Sequence, residues 1–192
     1  MRIHYNGHMQ EKHVTFITGN QHKADQLALY LGFPVDHVKL DLDEIQSLDL
    51  REIIEHKVRH AYEKIHTSVL VEDVSLEFEA LGGLPGPFIR FFVDAVPLET
   101  MCRMIDGQTR KAVTRCAYGY YNGTTVQIFE GELEGEIAET PAGKSGYGWD
   151  ALFIPSGYHM TRAEMSKKDY KKTYLQIKPI ASLTSFFEKL PQ

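Results

Sequence analysis

The stretch VLVEDVSLEF, residues 69–78, joins the pattern of a buried strand to two adjacent carboxylates. Its first residues are β-branched or Leu, as expected of a strand that is covered on both faces. Glu72 and Asp73 follow directly, and a carboxylate at the end of such a strand needs a cationic partner. The stretch therefore predicts a buried strand, VLVE, that delivers two acids to a positively charged site.

Strands and helices alternate through the N-terminal half of the chain. Residues 14–18, VTFIT, read as a first strand, and residues 22–31 carry a helix-forming pattern. Residues 35–42 alternate like a second strand, and residues 49–66 carry the apolar stripe of a long helix with Asp49 as its N-cap. This order is typical of an α/β layer architecture.

The middle of the chain changes to a hairpin pattern. Residues 114–121 and 124–129 are strand-like, and Asn122-Gly123 between them favours the positive φ angles of a two-residue turn. We therefore expect a long antiparallel hairpin appended to the α/β core.

Composition describes an ordinary globular chain of 192 residues, 43% hydrophobic and 24% charged. We take residues 13–192 as a single domain that follows a polar N-terminal extension, residues 1–12. A net charge of -5 argues against binding to a nucleic-acid polymer, and the apolar runs are too short to span a membrane. Cys102 and Cys116 form no CxxC pair and no zinc spacing, which fits a reducing, cytoplasmic setting.

Two lysines have the positions expected of anion-binding groups. In ITGNQHK a strand turns through Gly19 into a helix capped by Asn20, and Lys23 adds a charge where the free N–H groups of a helix start attract anions. Lys57 lies on the inner side of the long helix and could offer a second cation. The alternatives are an ordinary N-cap with a surface lysine and a Lys57 that extends to solvent.

Three acids are expected at neighbouring strand ends. Glu44 in LDLDEIQ joins Glu72 and Asp73, and few carboxylates suffice for Mg2+, which keeps several waters and commonly bridges to phosphates. The alternative is that these acids are exposed and pair with Lys or Arg.

Two Gly-rich segments look like shaped loops. EALGGLPGPFIRFF, residues 79–92, constrains the backbone around Gly83 and leads into a helix that carries Arg90. GKSGYGWDALF offers the flat faces of Tyr147 and Trp149 and the acceptor Asp150, which suit a nucleobase. The alternative for the second loop is an aromatic packing corner.

Together these residues resemble the inosine triphosphate pyrophosphatases. The resemblance runs from Val14 to the final helix and rests on TGNQHK, VEDVSLEFEALGGLPGPFIRFF and GYGWDALFIPSGY in the family's order and spacing. It implies a mixed α/β fold of that type, in which helices flank a long central mixed sheet and two lobes enclose a cleft.

The same resemblance implies a Mg2+-dependent homodimer that hydrolyses a nucleoside triphosphate, such as ITP, dITP or XTP, to the monophosphate and pyrophosphate. It implies metal ligands at Glu44, Glu72 and Asp73, with Asp73 as the main catalytic residue beside Glu72 and Lys23. The substrate-binding residues that it implies are Thr18, Gly19, Asn20, Lys23, Lys57, Gly83, Arg90, Tyr147, Trp149 and Asp150.

The C-terminal part departs from the family. AEM is retained at residues 163–165, but Tyr174, Leu175 and Gln176 stand where the family has the Ser-His-Arg that reads the purine keto oxygen, and Tyr170 stands where it has a Lys. The substitutes that we expect in the base pocket are Lys171, Lys172 and Gln176. The choice of base is therefore open. The alternatives are a weakly active nucleotide-binding relative and a housecleaning pyrophosphatase for a different base.

Overall fold

A mixed sheet of seven strands organises the chain, and helices flank it. The computed structural model describes residues 14–190, so the predicted extension of residues 1–12 lies outside the described residues. The strands are β1 (Thr15–Ile17), β2 (Asp36–Val38), β3 (Val69–Phe78), β4 (Pro85–Gly86), β5 (Lys111–Tyr121), β6 (Val126–Ile137) and β7 (Phe153–Pro155). The helices are α1 (Gln21–Leu31), α2 (Leu50–Ile65), α3 (Ile89–Ala95), α4 (Leu98–Arg103), α5 (Lys167–Ile177) and α6 (Ile180–Lys189).

The strand order is β2-β1-β3-β5-β6-β7, and β4 pairs with β3 beside this path. β1 runs parallel to both β2 and β3, and the other pairs are antiparallel. The predicted mixed α/β fold with a central mixed sheet is confirmed.

β3 continues well past the two acids, so the prediction that the strand ends with VLVE was wrong. Asp73 pairs with Ala117, and the ladder with β5 runs on until Phe78 pairs with Ala112. The hairpin supplies the reason, because β5 has eleven residues and offers a partner along the whole of β3. Glu72 and Asp73 therefore lie in the middle of a strand.

The opposite edge of β3 is interrupted beside these acids. β5 occupies one edge completely, so β1 and β4 must share the other. β1 pairs there with Val69 and Leu70, and β4 pairs with Leu76 and Glu77. Residues 71–75 therefore have no strand partner on that edge, which opens the sheet where the acids lie.

Both predicted helix starts are confirmed by their caps. The Asn20 side chain accepts a hydrogen bond from the Lys23 amide at 3.3 Å, and the Asp49 side chain accepts one from the Arg51 amide at 2.8 Å. These carboxamide and carboxylate oxygens satisfy N–H groups that have no partner within the helix.

β2 is shorter than predicted and ends at Val38. Its partner β1 has only three residues, so the ladder cannot continue through residues 39–42. Glu44 consequently lies in a segment without helix or strand, and its predicted place at a strand end was wrong.

The predicted hairpin is confirmed, but its turn has four residues, 122–125, instead of two. The Asn122 side chain accepts hydrogen bonds from the amides of Thr124 and Thr125, each at 3.0 Å. Gly123 has the positive φ, 90°, that the Asn-Gly pair predicted. The side chain of Asn122 thus stabilises a wider loop than the dipeptide alone suggested.

Apolar clusters cover both faces of the sheet. α2 packs on one face through Ile54 and Val58 against Val71 and Ala117. On the other face α1, α5 and α6 surround one cluster, and α3 and α4 contribute to a second. Among residues 14–190, no helix has both the length and the apolar character that a membrane crossing requires.

α5 approaches the hairpin closely because β6 carries a glycine beneath it. A Cβ atom built on Gly131 lies 2.4 Å from the carbonyl oxygen of Ile177. No larger residue fits there without moving the helix end. This contact brings the end of α5 down onto the sheet.

Candidate active site

The predicted phosphate turn lies between β1 and α1. Thr18 Oγ1 accepts a hydrogen bond from the Asn20 amide at 3.1 Å, and Gly19 lies under Lys39, whose Cδ is 3.1 Å from the position of a Cβ at residue 19. Lys23 follows in the first helical turn with half of its side chain exposed. Helix dipole, free N–H groups and the Lys23 ammonium all favour an anion here.

A lysine bridges two of the predicted acids on the α2 face of the sheet. Lys57 Nζ lies 2.9 Å from Glu44 Oε1 and 3.1 Å from Asp73 Oδ2. Burial by itself lowers the pKa of Lys57, but Asp73 and Glu44 outweigh it, so the pKa is raised. Lys57 therefore stays charged and faces the acids, as the inner position on the helix predicted.

Glu72 points to the opposite face, because successive side chains of a strand alternate. Its Oε1 lies 2.8 Å from Lys178 Nζ and 3.1 Å from Lys23 Nζ, and its Oε2 accepts a 2.5 Å hydrogen bond from the Tyr118 hydroxyl. Burial tends to raise the pKa of Glu72, but Lys178 and Lys23 lower it to about 2. Glu72 is therefore an ionised, buried carboxylate with three partners.

The three acids do not form the single cluster that the sequence predicted. Within residues 14–190, no group of three or more His, Cys, Asp and Glu side chains is arranged to hold a metal ion. The alternation of β3 separates Glu72 from the other two. Glu44 and Asp73, however, already share one cation in Lys57, and two carboxylates with waters and phosphate oxygens fit Mg2+.

The Gly-rich loop after β3 folds back on itself beside the open edge. Gly83 has a φ of 96°, and a Cβ built on Gly86 lies 3.0 Å from the Gly83 carbonyl oxygen. Arg90, in contrast, does not join the acids: 84% of its side chain is exposed, and it pairs with Asp94 at 3.8 Å. α3 turns Arg90 outward because Ile89 takes the buried position of its first turn.

The predicted base-binding loop separates into an exposed and a buried part. Tyr147 is 81% exposed, so its ring is available for stacking. Trp149 is partly buried and packs edge-on against Phe153, with ring centroids 5.9 Å apart. Trp149 also contacts both apolar clusters on its face of the sheet, which gives it a packing role.

Asp150 is engaged within the protein. Its Oδ1 accepts a hydrogen bond from Arg162 Nε at 2.7 Å, and its Oδ2 accepts from the Tyr147 amide at 2.7 Å and from the Tyr170 hydroxyl at 2.8 Å. Both carboxylate oxygens of Asp150 therefore make hydrogen bonds that fix the loop, whereas the sequence predicted that Asp150 would accept a hydrogen bond from the base.

Arg162 is a buried residue that the sequence analysis missed. It is 3% exposed, donates from Nη1 to Thr173 Oγ1 at 2.8 Å, and places its guanidinium 4.5 Å from the Tyr170 ring centre. The position of Arg162 directly before the retained AEM segment could have indicated a functional role. Its partner Asp150, however, is twelve residues away in the chain, so the sequence did not indicate the pair.

The side chains of α5 that were expected in the base pocket are not the ones that lie nearest the site. Lys171, Lys172 and Gln176 are exposed, and the Lys171 ammonium lies 5.9 Å from the ring centre of Tyr30. The buried side of the helix follows a three-to-four-residue spacing through Thr173 and Ile177. Lys178, just beyond the helix, reaches Glu72 as Lys23 does, and the sequence analysis missed it too.

Comparison with known sequences shows a family match over most of the chain. The profile of the Ham1 family matches residues 14–185. Inosine triphosphate pyrophosphatase 2 of Trypanosoma cruzi is 38% identical over 179 residues, which cover 91% of this chain and 91% of that protein. The dITP/XTP pyrophosphatase of Methanopyrus kandleri is 35% identical over 180 residues, which cover 91% of this chain and 96% of that protein.

Solved structures share the fold. The Ham1 protein of Staphylococcus aureus superimposes with a TM-score of 0.79 at 24% identity and covers 92% of this chain and 98% of its own. A HAM1 protein from Coxiella burnetii gives a TM-score of 0.80 at 20% identity, with 93% of this chain and 99% of its own covered.

Proposed function

Because the chain belongs to the Ham1 family, we propose that it is a nucleoside triphosphate pyrophosphatase that releases pyrophosphate from non-standard purine nucleotides. Relatives whose names specify inosine triphosphate or dITP and XTP, at 35% identity or more over 91% of the chain, support this activity.

One juxtaposition carries the proposal. The phosphate turn at Asn20 and Lys23 follows β1, and Asp73 lies on β3 just beyond the residues that β1 pairs with. Lys57 brings a second cation to Asp73 from α2. Anion-binding groups and a carboxylate thus flank the open edge of the sheet from its two faces, where a charged phosphate chain and an attacking water can be bound.

Each group has a role that its position supports. Lys23 and the first N–H groups of α1 bind phosphate oxygens, and Lys57 neutralises charge beside them. Asp73, 22% exposed, orients the water that attacks the α-phosphorus and accepts its proton. Pyrophosphate then leaves towards the cationic turn.

Glu44 and Asp73 are the residues that we propose for Mg2+. A divalent cation held there supplies charge neutralisation on the phosphate oxygens. The donor set fits, since both carboxylates already lie within 3.1 Å of a single ammonium, Lys57 Nζ. Glu72 does not belong to this metal-binding pair, because it forms ion pairs with Lys178 and Lys23 on the other face of the sheet.

The exposed ring of Tyr147 is proposed as the stacking surface for the base. Asp150 holds the Tyr147 amide, and Arg162 fixes Asp150 in turn, so the loop conformation is built into the protein. We propose that base choice depends on this fixed loop more than on Gln176, Lys171 or Lys172, which are exposed.

The test is pyrophosphate release from a panel of ITP, dITP, XTP, ATP, GTP, CTP and UTP, with Mg2+ and with EDTA. We expect Mg2+-dependent release, fastest with the inosine and xanthosine nucleotides. Release that ranks a pyrimidine first would assign a different housecleaning role. Tight nucleotide binding without release from any member would identify a binding protein and contradict the proposal.

We further propose a homodimer in the cytoplasm. The two cysteines, Cys102 and Cys116, are free and buried, which is consistent with a reducing compartment. Light scattering after size exclusion tests the dimer, and the expected mass is twice the 21.9 kDa of one chain.

A further inference from the structure

Glu72 has one more cationic partner than its charge requires. Lys178 and Lys23 both contact Oε1, and the Tyr118 hydroxyl contacts Oε2. Two ammonium groups around one carboxylate leave an excess of one positive charge beside the phosphate turn. The two lysines differ in burial, because the side chain of Lys178 is 12% exposed and that of Lys23 is 50% exposed.

Lys178 is fixed in place by the chain around it. α5 ends at Ile177, Lys178 has extended backbone angles of -87° and 122°, and Pro179 follows. A residue before proline is kept out of the helical region, so the chain turns Lys178 off the helix axis and onto the sheet. Its ammonium lies 5.7 Å from the ring centre of Tyr118 and 6.0 Å from that of Tyr174.

Lys23 is the partner that can leave. It extends from the first turn of α1, directly after the Asn20 cap, and half of its side chain is in solvent. If Lys23 turns to a phosphate, Glu72 keeps Lys178 and Tyr118. Without Lys178, the same movement would leave a buried carboxylate with a hydroxyl as its remaining partner, which is strongly unfavourable.

We propose that Lys178 is a positioning residue that neutralises Glu72 permanently and thereby frees Lys23 to bind the triphosphate. The inference rests on the proposed function for the identity of the ligand. Lys178 acts through Glu72 and Lys23 and does not itself contact the nucleotide. Its loss is nevertheless expected to weaken nucleotide binding. This proposal also assigns a role in the site to the C-terminal end of α5, where the sequence departs from the family.

The test is calorimetric binding of α,β-methylene ITP, in which the scissile oxygen is replaced by carbon. We expect Lys178→Met to weaken binding by about tenfold or more, because Glu72 then retains Lys23, and Lys178→Arg to stay within about threefold of wild type. Lys168→Met removes an exposed lysine of α5, the helix that precedes Lys178, and is the matched control, with unchanged affinity expected.

Double variants distinguish positioning from direct contact. Once Glu72 is neutral, Lys178 has no charge to offset, so Glu72→Gln/Lys178→Met is expected to bind within about threefold of Glu72→Gln alone. The comparison of Glu72→Gln/Lys178→Met with Glu72→Gln also tests the positioning role if Lys178→Met alone does not fold, because this double variant has no buried charge at either position.

The kinetic counterpart is a raised KM with an unchanged kcat for Lys178→Met. Wild-type affinity in Lys178→Met, or a further tenfold loss when Lys178→Met is added to Glu72→Gln, overturns the inference. Wild-type protein that binds the analogue but cleaves no triphosphate contradicts the proposed function alone. The binding affinities of the single and double variants then still test the role of Lys178. Wild-type protein that does not bind the analogue overturns both.

Discussion

At the scale of single residues, one peptide bond separates two carboxylates with different chemistry. Asp73 is 22% exposed and shares Lys57 with Glu44, whereas Glu72 is 7% exposed and enclosed by two lysines and a tyrosine. Strand alternation sends the two side chains to opposite faces of the sheet, so the neighbours in sequence have no partner in common.

Asp73→Asn removes the proposed proton acceptor while it keeps the side-chain volume. We expect kcat for ITP to fall by about 100-fold or more, with affinity for α,β-methylene ITP within about tenfold of wild type. Steady-state kinetics and calorimetry measure the two effects, and Asp41→Asn, in the exposed loop before α2, is the control. A variant with near wild-type turnover would show that another group activates the water.

The pKa of Glu72 predicts a specific acid sensitivity. Burial opposes ionisation, but Lys178 and Lys23 lower the pKa to about 2, below the value of about 4.3 for an unfolded Glu. The ionised group therefore stabilises the fold above pH 4.3, and this contribution is lost as the pH falls towards 2.

Urea unfolding at about pH 5 and at about pH 2 to 3 measures this loss. We expect the free energy of unfolding of wild type to fall by up to about 3 kcal/mol more than that of Glu72→Gln over this range. Equal pH dependence of the two proteins would show that Glu72 is not held ionised by its lysines.

At the scale of elements, two short 3₁₀ turns and α5 form one buried polar unit. The turn Gly148–Ala151 carries Asp150, the turn Arg162–Glu164 carries Arg162, and α5 adds Tyr170 and Thr173. The exposed Tyr147 ring depends on this unit for its position, because its amide donates to Asp150.

Arg162→Met tests the unit, since it leaves the Asp150 carboxylate buried without its cation. We expect the free energy of unfolding to fall by about 3 to 5 kcal/mol. Arg90→Met breaks an exposed pair with Asp94 and is expected to change it by less than about 1 kcal/mol. Urea titrations measure both, and similar losses in the two variants would contradict the structural role of Arg162.

At the scale of the whole molecule, the site exists because the sheet is interrupted. β1 and β4 share one edge of β3 and leave residues 71–75 between them, while the hairpin strand β5 supports the other edge without a break. α1 and α2 then approach this opening from opposite faces and bring Lys23 to one side of β3 and Lys57 to the other.

Metal and nucleotide are expected to stabilise the molecule together. With Mg2+ and α,β-methylene ITP at roughly 100 times its Kd, we expect the melting temperature to rise by about 5 to 10 °C. Differential scanning calorimetry measures the shift, which EDTA should reduce strongly. Glu44→Gln should reduce it as well, whereas an equal shift with EDTA would count against the Glu44 and Asp73 metal site.

The sequence by itself determined what depends on local chemistry. Helix caps at Asn20 and Asp49, the hairpin around Asn122-Gly123 and the inward side of Lys57 follow from propensity and periodicity, which act over a few residues. The motif order also gave the fold class, since that order is shared with the family.

Only the tertiary structure decided which charged groups meet. Glu72 pairs with Lys178 and Asp150 with Arg162 across 106 and 12 positions of the chain, and the exposed Arg90 takes no part in either pair. Such pairs depend on strand register, on which helix covers which face and on where Pro179 ends α5. These are long-range packing choices, and no pattern within a single element of the sequence contains them.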